Sequence, residues 1–116
     1  MPTPSARRSP PFCPARDGGG HTPLLLLAIV AGAPFAEELF FRGVLFARLE
    51  AFQPALVIFV AAVLFGLAHF DLARLPLLVA LGLLLGIARH RSGGLLAPVL
   101  AHALHNAASV AIATLG

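Results

Sequence analysis

The sequence predicts an all-α fold, a polytopic transmembrane bundle of about four helices. Three observations lead there. Of the 116 residues, 59% are hydrophobic and only 11% are charged, with a mean hydropathy of +0.91. A soluble domain carries roughly 25% charged residues, so the shortfall points to a bilayer as solvent. The apolar residues also form four runs, each near the ~20 residues that a spanning helix needs. The runs lack the polar–apolar alternation of barrel strands and are too long for them.

The chain divides into a tail, residues 1–22, and a membrane core, residues 23–116. The tail is rich in Pro, Arg, Gly and Ser. Such a segment buries too little apolar area to offset its ordering entropy, so disorder is expected. It does not read as a signal peptide, because the apolar run after it is too long and no short h-region meets a cleavage site. All eight basic residues are Arg, and Arg7, Arg8 and Arg16 lie in this tail. Phe12 alone stands among them, too little aromatic interleaving for a nucleic-acid surface, so nucleic acid is not an expected partner, whereas anionic membrane lipid is. Cys13 is the single cysteine, which excludes an internal disulfide and a CxxC site.

The first helix is expected from about Pro23 to Leu49 and the second from about Pro54 to Phe70. The third runs from about Pro76 to Arg89 and the fourth from about Leu95 to Leu115. Pro54 and Pro76 fit first-turn positions, where a missing N–H costs nothing. Gly93 and Gly94 fit a helix stop. The second and third runs are short for a full span. With the N-terminus inside, Arg7, Arg8, Arg16 and Arg74 oppose Arg48, Arg89 and Arg91, a bias too small to fix orientation.

The first run holds Glu37, Glu38 and Arg42 near its middle. Unpaired at bilayer depth, the three together cost about 8–10 kcal/mol on insertion scales. The run's fourteen Leu, Ile, Val and Phe return about 4–8 kcal/mol. The charges must therefore face partners inside the bundle. At about 100° per residue, Glu38 and Arg42 point within about 40° of each other and can pair. Glu37 points about 100° away from Glu38 and is the freer carboxylate. Pro34 is expected to kink this helix just before the pair. The alternative role for the cluster is an ion pair that only locks helix packing.

His69 ends the second run, with Phe65 one turn earlier on the same face; alone it reads rather as an interfacial histidine capping a helix end. In the fourth run His102 and Asn106 share one face at i, i+4. Interhelical hydrogen bonding is the alternative for these two and the expected role of His105, Ser109 and Thr114. As a set, the residues suit water activation. A Glu and a His can share the proton of an attacking water. A second His and an Asn can donate to a developing oxyanion. No serine or cysteine stands out as a nucleophile, and neither GxSxG nor HExxH occurs.

APFAEELFFRGVL (33–45) resembles the EExxxR motif of the CPBP family, the intramembrane glutamic endopeptidases related to type II CAAX prenyl proteases and to bacteriocin-processing and immunity proteins. FGLAH (65–69) is similar to the family's FxxxH motif. GIARHRSGGLLAPVLAHALHN (86–106) is similar to its HxxxN motif. The resemblance covers about residues 30–112. It implies that Glu37 is the general base, helped by His69, and that Glu38 and Arg42 support it. It implies that His102 and Asn106 form the oxyanion hole. The implied reaction is hydrolysis of a peptide bond in a membrane-associated protein or peptide, without a covalent intermediate or a cofactor. Where family members carry further transmembrane helices before the first motif, this chain has its polar tail.

Two other functions fit the same residues. Glu37, His69 and His102 could form a His₂Glu zinc set in a metal-dependent membrane hydrolase. The polar cluster could also serve a non-catalytic immunity or scaffolding protein. In each case the expected location is integral and multi-pass, in a bacterial cytoplasmic membrane.

Overall fold

The computed structural model describes residues 22–116. The tail and its Arg7, Arg8, Cys13 and Arg16 lie outside the described residues. Four helices follow in order: α1 (Thr22–Arg48), α2 (Pro54–Leu67), α3 (Leu75–Ser92) and α4 (Leu96–Leu115). No strand occurs among the described residues. α1, α3 and α4 are long and apolar enough to cross a membrane, and α2 is a shorter apolar helix.

α1 is continuous but not uniformly α-helical. It widens to π-helical turns at Ala28–Gly32 and again at Leu39–Leu45. The first widening lies just before Pro34, where a kink is expected. There the N–H of Ala33 bonds the carbonyl of Ala28, five residues back. Pro34 follows with no N–H to continue the ladder. After the second widening, the N–H of Phe46 turns to the carbonyl of Gly43. Local π turns of this kind are frequent at functional sites.

The expected helix punctuation is present. Pro54 and Pro76 occupy first turns. α3 stops at Gly93, whose φ of 70° is left-handed and whose N–H closes on the carbonyl of Arg89 at 3.1 Å. Two boundaries differ from expectation. α2 ends at Leu67 rather than Phe70, because the N–H groups of His69 and Phe70 turn back to the carbonyls of Gly66 and Leu67. Phe70 itself takes φ 52°, an uncommon state for a bulky residue, and reverses the chain directly after His69. α3 runs on past Arg89 to Ser92, its last turn holding Arg89, His90 and Arg91, where positive charge favours a helix C-terminus.

The packing inverts the soluble pattern. Arg42 and Glu38 are among the largest fully buried side chains, together with Phe65 and Leu85. Many Leu and Phe side chains are exposed, including Leu24, Leu27, Phe59 and Leu84. Lipid tails are as apolar as Leu, so such an exterior carries no penalty in a bilayer, and helices associate through close packing and polar contacts. The α2–α3 pair shows the close packing. A Cβ on Gly82 would lie 2.9 Å from the Cα of Ala62, and one on Gly86 would lie 2.9 Å from Cγ2 of Ile58. Gly82→Ala is therefore expected to push α3 from α2 and to destabilise the bundle by about 1–3 kcal/mol, the usual scale of overpacking. A thermal melt in detergent micelles checks this, and an unchanged midpoint contradicts it.

Ser109 and Thr114 do not bond between helices as expected. Ser109 donates to the carbonyl of His105, and Thr114 to those of Val110 and Ala111, all within α4. A hydroxyl on a helix reaches the carbonyl one turn back more easily than a neighbour. His105 is exposed, away from the buried polar cluster.

Candidate active site

α1 supplies the carboxylates. Glu38 is fully buried, and its Oε1 accepts from Nη1 of Arg42 at 3.0 Å and from Nδ1 of His102 at 2.8 Å. The pairing of Glu38 with Arg42 is the one that helical spacing predicts, and it survives the π-helical turn between them. Arg42 is also fully buried and uses Nη2 to donate to the carbonyl of Gly82 at 2.7 Å. Its guanidinium lies 4.9 Å from the centre of the Phe65 ring, within cation–π range. The carbonyl of Arg42 accepts from Nε of Arg89 at 3.0 Å.

Glu37 is the carboxylate without a dedicated partner. Its Oε2 is buried and makes no hydrogen bond. Two imidazoles face that oxygen: Nε2 of His69 and Nε2 of His102 each lie 3.8 Å from it. The separation exceeds a hydrogen bond and admits a bridging group.

The second nitrogen of each ring fixes its proton. Nδ1 of His69 is 2.8 Å from the carbonyl of Phe65, which can only accept, so Nδ1 carries the hydrogen. Glu38 Oε1 already accepts from Arg42, so Nδ1 of His102 donates to it as well. In each neutral ring Nε2 is then a lone-pair acceptor. Three acceptor atoms, from α1, α4 and the α2–α3 turn, converge on one locus. A group with two O–H bonds, such as water, suits that locus, and so does an added proton.

Phe65 holds the site together. It is fully buried, with ring centres 4.7 Å from His69, 5.5 Å from His102 and 5.5 Å from Phe41. The contacts to His102 and Phe41 are edge-on and that to His69 is tilted, arrangements that fix ring orientation. Asn106 stands apart from the carboxylates: its Nδ2 donates to the carbonyl of Ile29 on α1 at 3.0 Å.

The structure thus brings together Glu37, Glu38, Arg42, His69 and His102, and ties Asn106 to α1 one turn further along α4. Sequence reasoning paired Glu38 with Arg42 alone and did not link it to His102. It also missed Gly82 and Arg89. Gly82 acts through a backbone carbonyl, which leaves no mark in residue type. Arg89 gave a weak signal, as a charge at the end of an apolar run. Among the described residues no three His, Cys, Asp or Glu side chains are grouped to hold a metal ion.

Comparison with known proteins adds two matches. A family model described as type II CAAX prenyl endopeptidase, Rce1-like, matches residues 19–108. An uncharacterized 24.3 kDa protein of Escherichia coli is 40% identical over 85 residues, covering 68% of this chain. The chain spans 39% of that relative's length. No solved structure matches.

Proposed function

The chain belongs to the Rce1-like family of type II CAAX prenyl endopeptidases, and on that premise we propose that it is an intramembrane endopeptidase of the glutamic type. The observation that carries the reading is the convergence of Glu37 Oε2 with two Nε2 atoms, each 3.8 Å away. The chain is an integral membrane protein, with three helices long enough to span. We place it in a bacterial cytoplasmic membrane, in keeping with its Escherichia coli relative. The proposed substrate is a membrane-associated protein or peptide, with a prenylated C-terminal peptide as the first candidate.

In this reading a water held between Glu37 and His69 gives one proton to the Glu37 carboxylate as its oxygen attacks the scissile carbonyl. The carbonyl π electrons move onto oxygen. The resulting oxyanion needs donors, which are His102 and Asn106. Nε2 of His102 donates only when the ring carries both hydrogens, and the Glu38 carboxylate accepts from its Nδ1 at 2.8 Å. Arg42 donates to the same Glu38 oxygen at 3.0 Å and holds that carboxylate in place. Collapse of the intermediate breaks the C–N bond, and the proton on Glu37 passes to the leaving amine.

His69→Ala tests the reading. The cleavage rate of a farnesylated CAAX peptide is expected to fall about 10²-fold or more, with KM little changed, because the lost group acts on the water rather than on the substrate. Added imidazole should restore part of the rate. Full activity in the variant removes His69 from the mechanism. Stoichiometric zinc in the active protein, lost with activity on chelation, favours the metal-dependent alternative instead.

A further inference from the structure

The Asn106 contact has a cause on the opposite helix. The carbonyl of Ile29 faces two positions that could return an N–H to it along α1. Ala33, four residues on, spends its N–H on Ala28. Pro34, five residues on, has none. Both partners that α-helical or π-helical geometry offers are thus diverted or missing. A carbonyl left open on a membrane helix is costly, since lipid offers no donor. Asn106 supplies one at 3.0 Å.

We propose that Pro34 is a positioning residue for Asn106: by denying the Ile29 carbonyl a donor within α1, it creates the acceptor that holds the Asn106 carboxamide. A primary amide has two N–H donors. The bond to Ile29 occupies one and fixes the plane of the group. The other stays available at a set angle, one helical turn from His102. The link to catalysis rests on the oxyanion role given to Asn106 above; the hydrogen bond itself does not. The same device recurs lower on α1. There the N–H of Phe46 is diverted to Gly43, and the carbonyl of Arg42 is met by Arg89 Nε from α3. Each widened stretch of α1 thus exposes a carbonyl that a neighbouring helix grips.

Asn106 is the chain's only asparagine, so ¹⁵N-Asn labelling gives one side-chain signal pair. In the protein in micelles, the bonded amide proton is expected to lie downfield of its position in free asparagine and to exchange more slowly than its open partner. Pro34→Ala restores an N–H that competes for Ile29, and the two protons should converge with faster exchange. An unchanged pair in Pro34→Ala overturns the proposal. Pro34→Gly, which also restores the N–H, should behave alike. If only the alanine variant changes, the effect belongs to the methyl group and the proposal fails.

Cleavage of the farnesylated CAAX peptide separates this inference from the functional reading. Asn106→Ala should lower kcat about 10²-fold, on the scale of one oxyanion donor. Pro34→Ala should lower kcat by about 10-fold or more with KM held, as loss of orientation does. The double variant should be no slower than Asn106→Ala. Full activity in Asn106→Ala refutes the oxyanion assignment while the amide signal still decides the Pro34 contact. A normal kcat in Pro34→Ala beside a slow Asn106→Ala refutes the positioning role alone.

Discussion

Glu37→Gln is expected to abolish cleavage while leaving the fold intact, with a rate loss of about 10³-fold or more at the upper range of general-base effects. The substitution is isosteric and removes the charge from a group that no cation neutralises at contact distance. Oε2 of Glu37 makes no hydrogen bond, so the fold loses no bond when that oxygen changes. The glutamine amide brings two donors toward the lone pairs of His69 Nε2 and His102 Nε2, both 3.8 Å from the carboxylate oxygen. The variant should thus melt at the wild-type temperature or slightly above. Full activity in it would end the assignment of the base. Loss of activity with loss of folding would show that Glu37 is structural.

Arg42→Ala should do the reverse and act first on stability. Arg42 and Glu38 are both fully buried, and the guanidinium is a permanent cation in contact with that carboxylate. Removing one member of a buried pair typically costs about 3–5 kcal/mol, because the other charge stays without compensation. The carbonyl of Gly82 loses its 2.7 Å donor at the same time. Arg42→Lys restores the charge, but an ammonium lacks the planar fork that reaches Glu38 and Gly82 together, so it should rescue only part. A double variant with leucine at both 38 and 42 removes both charges and should be more stable than Arg42→Ala. It should still be inactive, because His102 has lost the carboxylate that orients its ring. Thermal melts beside peptide cleavage resolve the two effects, and a stable, active Arg42→Ala contradicts this account of the pair.

The contact between Glu38 and Arg42, and the absence of one between Glu37 and Arg42, were legible in the sequence. Spacing of four joins Glu38 to Arg42, and rotation by one residue leaves Glu37 free. The pairing survives although Arg42 lies in the π-helical stretch Leu39–Leu45, because the long guanidinium side chain still reaches Glu38 at 3.0 Å. The four helices were legible from apolar runs bounded by Pro54, Pro76 and Gly93. Other features were hidden for identifiable reasons. The bond between Glu38 and His102 joins residues 64 apart, and no spacing rule reaches across helices. The grip of Arg42 on Gly82 depends on how closely α2 and α3 approach, which small residues permit but do not specify. His102 and Asn106 share a helical face, yet they go to different targets, Glu38 and Ile29. The π-helical turns follow from the ladder rather than from composition, though Pro34 marks the first of them.

The central claim is that water, activated by Glu37 between two imidazoles, attacks the peptide bond directly. The most direct measurement is single-turnover cleavage of a farnesylated CAAX peptide in H₂¹⁸O with hydroxylamine present. The account predicts a free carboxylate carrying one solvent oxygen and no hydroxamate. Hydroxamate formation would reveal an acyl-enzyme and contradict direct attack, and absence of cleavage by the folded chain would contradict the proposed activity itself.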